Sequence, residues 1–317
     1  MTELSVIICS HNPRPEYLQR TLAALKAQTL PQERWELLLV DNASQPSVAQ
    51  HHDVSWHPQG RHVIEATLGL TPARFRGVAE ARGNWLVFVD DDNVLAADYL
   101  EKVISLAASH PRLAVFGSGM LRPEFEIPPP AELKDLLSML ALRDVEAPRW
   151  GNDPTESAAL PCGAGLCVRR ETAAQCAVLV EQLKACVVLD RKGGELFSHG
   201  DDLFSWAAAR AGMEFGVFPE LRITHLIGAG RLTQAYFLRL IYYHAYSHSV
   251  LRYLLAGEIP RQAGLIRRLR LIPHVLRRGV FSGRCQLGWL KGEDRAACLI
   301  AENNLKPLFG LTPKNKN

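Results

Sequence analysis

The chain has 317 residues, with 36 Lys and Arg against 33 Asp and Glu for a net charge of +3, 47% apolar and 22% charged residues. Together with a mean hydropathy of −0.04, this excludes a disordered chain, a collagen-like repeat and a disulfide miniprotein, and leaves room for one large α/β domain with or without an appendage. The small net charge conceals a segregation: residues 1–225 hold 21 basic and 29 acidic side chains, residues 226–284 hold 10 and 1, and residues 285–317 hold 5 and 3.

Short apolar runs alternate with helical patterns along the first third. Leu4–Cys9 is a predicted strand, Glu16–Gln28 a helix, Trp35–Val40 a second strand and Val63–Ala66 a third. Pro72–Ala81 follows as a helix with Thr71 as N-cap and proline in its first position, and Trp85–Val89 is a buried strand. Runs that are apolar on both faces and separated by helices predict parallel strands with covered faces. In such sheets ligands sit beyond the carboxyl ends of the strands. Three polar clusters fall there: Ser10-His11-Asn12-Pro13, Asp41-Asn42-Ala43-Ser44 and Asp90-Asp91-Asp92-Asn93.

Further along, a helix is predicted over Ala97–Ser109, a strand over Leu113–Gly117 and a proline-rich surface loop from Pro123 to Pro130. A glycine-bearing strand at Cys162–Val168 and a helix at Glu171–Lys184 come next. Residues 190–200 read as a loop that ends at Asp201-Asp202 and enters a helix, Leu203–Ala211. A strand pair, Glu214–Phe218 and Arg222–His225, closes the domain. From Ala229 the pattern is helical alone, with amphipathic stretches at Tyr236–Leu255 and Gln262–Arg278. The division is therefore an α/β domain over residues 1–228 and a basic helical appendage over 229–317.

Seven cysteines with no CxxC pair predict reduced thiols and neither a zinc site nor a disulfide framework. The N-terminus carries Glu3 where an export signal carries Lys or Arg. Arg239 and Arg252 bound the longest apolar stretch, so no run reaches the roughly 18 to 20 residues that cross a bilayer. A cytoplasmic protein is expected.

Three consecutive aspartates after a strand repel one another unless a cation or hydrogen-bond donors compensate. Oxygen ligands favour Mg²⁺ or Mn²⁺, and Mg²⁺ is commonly held by one or two carboxylates together with substrate phosphates. The cluster therefore points to a divalent metal and a phosphate-bearing substrate; the alternative is a turn that caps the helix beginning near Ala97.

The ordered set Ser-Val-Ile-Ile-Cys-Ser-His-Asn-Pro, Leu-Leu-Leu-Val-Asp-Asn-Ala-Ser, Ala73-Arg74 and Gly-Asn-Trp-Leu-Val-Phe-Val-Asp-Asp-Asp-Asn resembles the family 2 glycosyltransferases of the GT-A fold. The likeness spans residues 4 to about 228. It implies a Rossmann-like, mostly parallel α/β sheet flanked by helices, and inverting transfer of a sugar from a nucleotide-diphosphate donor, a UDP-sugar above all, to a glycan, lipid-linked or other hydroxyl acceptor in cell-surface glycan or polysaccharide assembly.

By the same resemblance Ser10, His11 and Asn12 match the loop that wraps the nucleotide. Asp41, followed by Asn42, matches the aspartate that recognises the base. Asp90, Asp91 and Asp92 match the DxD motif, in which Asp90 meets the ribose and Asp92 the metal. Arg74 is a candidate contact to the diphosphate, or else the partner of a surface acid. Asp201 and Asp202 match the family's Glu-Asp pair, with Asp202 as the catalytic base; the alternative is that both cap the following helix. His225 matches a histidine that approaches the metal, and a purely structural role is its alternative. The sequence departs from the family at Phe75, where asparagine is usual, and at Asp201, where glutamate is usual.

The arginines of residues 226–284 suit an anionic membrane surface or an acidic acceptor, or answer the acidic charge of the first domain. Nucleic acid is not expected, because the stretch carries no recognised binding motif. A sugar nucleotidyltransferase would carry a glycine-rich phosphate loop, and a dinucleotide oxidoreductase GxGxxG, where Ser10-His11-Asn12 stand. A phosphatase would place its Asp-x-Asp after the first strand. The remaining alternative is a catalytically silent nucleotide-sugar binder or membrane-docked scaffold.

Overall fold

The runs that are apolar on both faces become the buried centre of one sheet in the computed structural model, which describes residues 2–155, 157–184, 200–260, 264, 267 and 271–307. The first half contains β1 (Leu4–Ser10), α1 (Pro15–Lys26), β2 (Trp35–Asn42), β3 (Gly60–Glu65), α2 (Leu70–Glu80), β4 (Trp85–Asp90), β5 (Asn93–Leu95), α3 (Tyr99–Ser109) and β6 (Leu113–Phe125). After these come β7 (Arg143–Asp144), β8 (Arg149–Gly151), β9 (Leu166–Arg169), α4 (Arg170–Lys184), α5 (Asp202–Arg210), β10 (Glu214–Ile227), α6 (Gln234–Ala256) and α7 (Leu271–Glu302).

Every residue of β2 is buried, and Leu4, Val6, Ile7 and Ile8 of β1 have no exposed surface. Each such Leu or Ile contributes about 1.5–3 kcal/mol on removal from water. The strand order is β3-β2-β1-β4-β9-β6-β10-β5, with β7 on β6 and β8 on β10. Strands β1 to β4 run parallel, as do β6 and β10, while β9 is antiparallel to β4 and β6, and β5 is antiparallel to β10. The expected α/β class with a mostly parallel sheet is thus observed. Register aligns the strand ends that matter, Ser10 opposite Asp41 and Cys9 opposite Asp90.

Several boundaries differ from expectation. Helix α2 starts at Leu70 with Gly69 in the N-cap position, so Thr71 and Pro72 lie inside its first turn, where the missing proline N–H costs no helical bond. The expected strand pair is one strand, β10, with a register shift between Phe218 and Arg222. Strand β6 runs on through Pro123 to Phe125, because β10 pairs beside it as far as Ile227. The glycine-bearing strand is confined to Leu166–Arg169. Residues 190–199 of the expected loop, and most of 262–270, lie outside the described residues.

Contacts divide the chain into one unit of Met1–Glu126, Leu137–Gln182 and Gly200–Ile227, and a second of Ile127–Leu136, Leu183–His199 and Gly228–Asn317. The first contains the sheet. In the second, Thr233 caps α6 by accepting a hydrogen bond from Tyr236 N at 3.2 Å, and α7 lies against α6 along Gly288 and Gly292. A Cβ on Gly292 would stand 2.5 Å from the Tyr242 carbonyl oxygen and 2.9 Å from Ala245 Cβ. Among the described residues no helix is long and apolar enough to cross a membrane, and the six described cysteines are unpaired thiols.

Candidate active site

Strand β4 ends at Asp90, and the turn that follows carries Asp91 and Asp92 into β5. Ser10 Oγ, at the end of β1, donates to Asp91 Oδ2 at 2.5 Å, and Thr21 of α1 donates to the Asp91 carbonyl oxygen at 3.2 Å. Burial pushes the Asp91 carboxyl up to about 7, with the Asp92 and Asp90 charges adding to it and the Ser10 hydrogen bond opposing it. Asn93 Nδ2 donates to Asp92 Oδ1 at 2.9 Å. His225 faces Asn93 across the β5/β10 pair and sets Nε2 3.3 Å from Asp92 Oδ2. The aspartates do not cap α3, whose N-cap position is Asp98.

Arg74 of α2 is buried, with its guanidinium 5.7 Å from the Phe88 ring centroid and Nη2 4.0 Å from Asp90 Oδ1. It stands at the outer limit of ion-pair distance from this carboxylate. Gly163, in the turn before β9, donates its N–H to Asp201 Oδ2 at 2.5 Å, and a Cβ added there would run into Arg74 Nη2. Arg74, Gly163 and Asp201 thus meet at one point. Asp201 occupies the N-cap position of α5 yet makes no side-chain capping bond; its carboxylate is turned to Gly163 instead. Asp202 is the first residue of that helix and half-buried. Phe75 lies 6.2 Å from Phe204, which in turn lies 5.5 Å from Phe88, so this departure from the family pattern joins an aromatic cluster. Burial raises the thiol of Cys162, beside Gly163, to about 11 and that of Cys9 to about 12; both stay protonated at neutral pH.

The loops after β1 and β2 are tied to each other. Asp41 is 4% exposed; its Oδ1 accepts from Ser44 N at 3.0 Å, and its Oδ2 from Ser47 Oγ at 2.7 Å and Val48 N at 2.9 Å. Desolvation pushes this carboxyl up, but the hydrogen bonds outweigh it and hold it below the usual range. Asn42 donates to the Glu65 and Thr67 carbonyl oxygens at 3.2 and 2.7 Å and accepts from Gly69 N at 2.8 Å. His11 Nδ1 lies 2.7 Å from the Asn42 carbonyl oxygen and therefore carries the proton that it donates. Asn12, with φ of 48°, accepts from Gln45 N at 2.8 Å, and its own N–H donates to Ser44 Oγ at 3.0 Å.

The structure therefore gathers Ser10, Asp90, Asp91, Asp92 and His225 at the carboxyl ends of β1 and β4, joins Arg74 to Asp201 through Gly163, and knits His11, Asn12, Asp41 and Asn42 into a second loop cluster. Asn93 and Ser44 belong to the polar clusters legible in the sequence but carry no assigned role there, and Gly163 and Ser47 have no sequence-based place in the site. A glycine inside a strand pattern, which often marks close backbone approach, was the available signal for Gly163. Asp92 and His225 offer an oxygen and a nitrogen donor close together, a fit for a divalent ion that a diphosphate would complete. Among the described residues no group of three or more His, Cys, Asp or Glu side chains is arranged to hold a metal. A cavity of about 520 Å³ lined by Glu3, Trp85 and Arg169 lies at the other ends of these strands, away from the carboxylates.

Residues 5–130 match the family model "Glycosyl transferase family 2". An uncharacterised glycosyltransferase of Haemophilus influenzae is 29% identical over 110 residues, 35% of this chain and 36% of that protein. The glycosyltransferase AglE of Haloferax volcanii is 30% identical over 105 residues, 32% of this chain and 34% of that protein. The matched segment spans about a third of the length of each relative. Among solved structures, the mannosyltransferase PcManGT of Pyrobaculum calidifontis, in complex with GDP-Man and Mn²⁺, superposes with a TM-score of 0.54 at 16% identity, over 95% of this chain and 75% of that one. This likeness shows the shared GT-A fold.

Proposed function

We propose that this chain, whose residues 5–130 match the model of glycosyl transferase family 2, transfers a sugar from a nucleotide-diphosphate donor, a UDP-sugar above all, to an acceptor hydroxyl with inversion. The observation that carries the proposal is the assembly of Asp92 and His225, 3.3 Å apart, with Ser10, Asp90 and Asp91 at the carboxyl edge of the sheet, where α/β folds bind ligands. Residues 1–228 form the catalytic domain of this proposal and residues 229–317 the helical appendage. Glycan or polysaccharide assembly is the setting that the family resemblance supports, and the unpaired thiols among the described residues suit a cytoplasmic location.

In this reading the loops of Ser10, His11 and Asn12 and of Asp41 and Asn42 shape the nucleotide site. The Asp41 carboxylate acts there mainly by holding the backbone of residues 44–48 in place. Asp92 and His225 would hold Mn²⁺ or Mg²⁺, as suits a fold that in PcManGT occurs with GDP-Man and Mn²⁺. When bound, the ion stabilises negative charge on the leaving diphosphate. Asp90 and Asp91 face the donor, and Arg74 lies 4.0 Å from Asp90 as its cationic partner. Asp202 accepts the proton of the acceptor hydroxyl as its oxygen attacks the anomeric carbon from the side opposite the diphosphate. Asp201, held by Gly163, fixes the start of α5 and with it Asp202.

The test is a thermal-shift panel of UDP-, GDP- and dTDP-sugars with and without Mn²⁺, followed by transfer assays with any stabilising donor. A ligand that binds only the folded state adds about 2.7 kcal/mol of stability at a hundredfold excess over Kd and so raises the melting temperature by mass action. A metal-dependent shift with one donor class is expected. No shift with any nucleotide sugar would refute the proposal.

A further inference from the structure

Residues 259–292 contain seven arginines and Lys291 and not one Asp or Glu. Within this stretch α7 is broken at Gly279, whose φ of 85° and ψ of 168° are closed to other residues at ordinary cost. The arms on either side meet again where Val275 packs on Gly283, at a distance that leaves no room for a Cβ on that glycine. The break therefore forms a projecting corner. On it Leu276 is 82% exposed and Val280 70% exposed, and Arg277, Arg278 and Arg284 are exposed as well. Arg267 pairs with Glu293 at 2.7 Å, whereas Arg277, Arg278 and Arg284 have no acidic partner among the described residues, and large aliphatic side chains held in solvent beside them are unfavourable for a free surface in water. They are the arrangement that suits an anionic bilayer, with the aliphatic groups entering the acyl boundary and the guanidinium groups meeting lipid phosphates.

We propose that the Gly279 corner of α7 docks this protein on the surface of an anionic phospholipid membrane. Leu276 and Val280 are the inserting side chains, and Arg277, Arg278 and Arg284 supply the electrostatic attraction. The charge of the corner selects this occupant, since a purely apolar partner would leave three arginines desolvated and unpaired. The inference stands apart from the catalytic reading.

The test is co-sedimentation of the full chain with vesicles of phosphatidylcholine containing about one-third phosphatidylglycerol, against vesicles of phosphatidylcholine alone. The chain is expected to pellet with the first and not the second. Arg277→Ala/Arg278→Ala should bind roughly 25-fold more weakly at low salt, and Leu276→Ser/Val280→Ser should lose the attachment that survives high salt. Because all four side chains are exposed, circular dichroism and melting temperature are expected to match the parent. Donor turnover without vesicles reads the catalytic reading separately and should be the same in both variants. Failure of the parent chain to pellet, or variants that pellet as the parent does, would overturn the proposal. So would a corner that proves to mediate self-association, with the Leu276→Ser/Val280→Ser variant converting a dimer to a monomer.

Discussion

Replacing Asp41 by asparagine separates the two jobs that its position suggests, holding a loop and meeting a nucleotide. In the structure both carboxylate oxygens are engaged, Oδ1 by Ser44 N and Oδ2 by Ser47 Oγ and Val48 N. An amide in the same place keeps one acceptor and turns an NH₂ toward donors on the other side. At least one charge-assisted bond is lost and donors are brought face to face. Bonds to charged groups contribute about 1.5–3 kcal/mol each, so Asp41→Asn is expected to cost roughly 2–4 kcal/mol at neutral pH. The sign with pH follows from the lowered carboxyl. A group whose folded pKa lies below its unfolded value stabilises fully above the unfolded pKa, near 3.8, and loses that contribution as pH falls through the folded value. Urea unfolding of the parent and variant should therefore show a constant gap between about pH 5 and 7 and a shrinking one below about pH 4. Equal midpoints at pH 7 would refute the loop-holding role and leave the carboxylate free for the nucleotide.

Three further outcomes follow from the same geometry. Asp202→Asn should lower the transfer rate by about 10²- to 10⁴-fold, the usual contribution of a positioned base, while calorimetry shows donor affinity within about twofold of the parent; unchanged turnover in the purified variant would remove Asp202 from the base role. Gly163→Ala drives a Cβ into Arg74 Nη2, and Arg74 is too buried to swing away. A loss of about 1–3 kcal/mol from overpacking, measured by urea unfolding, should come with a lower kcat, and a variant with parental values of both would show that the turn yields freely. Gly292→Ala places a methyl 2.5 Å from the Tyr242 carbonyl oxygen, a backbone atom that cannot rotate away. A lowered melting transition is expected, with sugar transfer by the sheet unit retained.

The strands that build the site were legible because their side chains are apolar on both faces, which only a covered parallel sheet satisfies. Trp35–Val40 and Trp85–Val89 needed no tertiary information, and the polar residues that end them fell at the carboxyl edge once the strands were parallel. The family motifs lie in this same local grammar of strand followed by polar turn. Strand β5 was missed because three residues, Asn93–Leu95, carry no period, and the joining of the last strand pair was hidden by Pro219, which interrupts the pattern while pairing with β6 resumes beyond it.

What only the tertiary structure decided is which polar groups meet. Asp201 reads as a helix cap from its neighbours, and its bond to Gly163, 38 positions away, depends on β9 entering the sheet between β4 and β6. His225 reaches Asp92 across 133 positions because β10 turns β5 against its edge. Sequence determines the chemistry available and the local geometry that presents it, since propensity, burial pattern and turn residues act over a few positions. Pairing between distant segments is set by strand order and register, which are properties of the whole sheet and leave no mark on the spacing of the residues that they bring together.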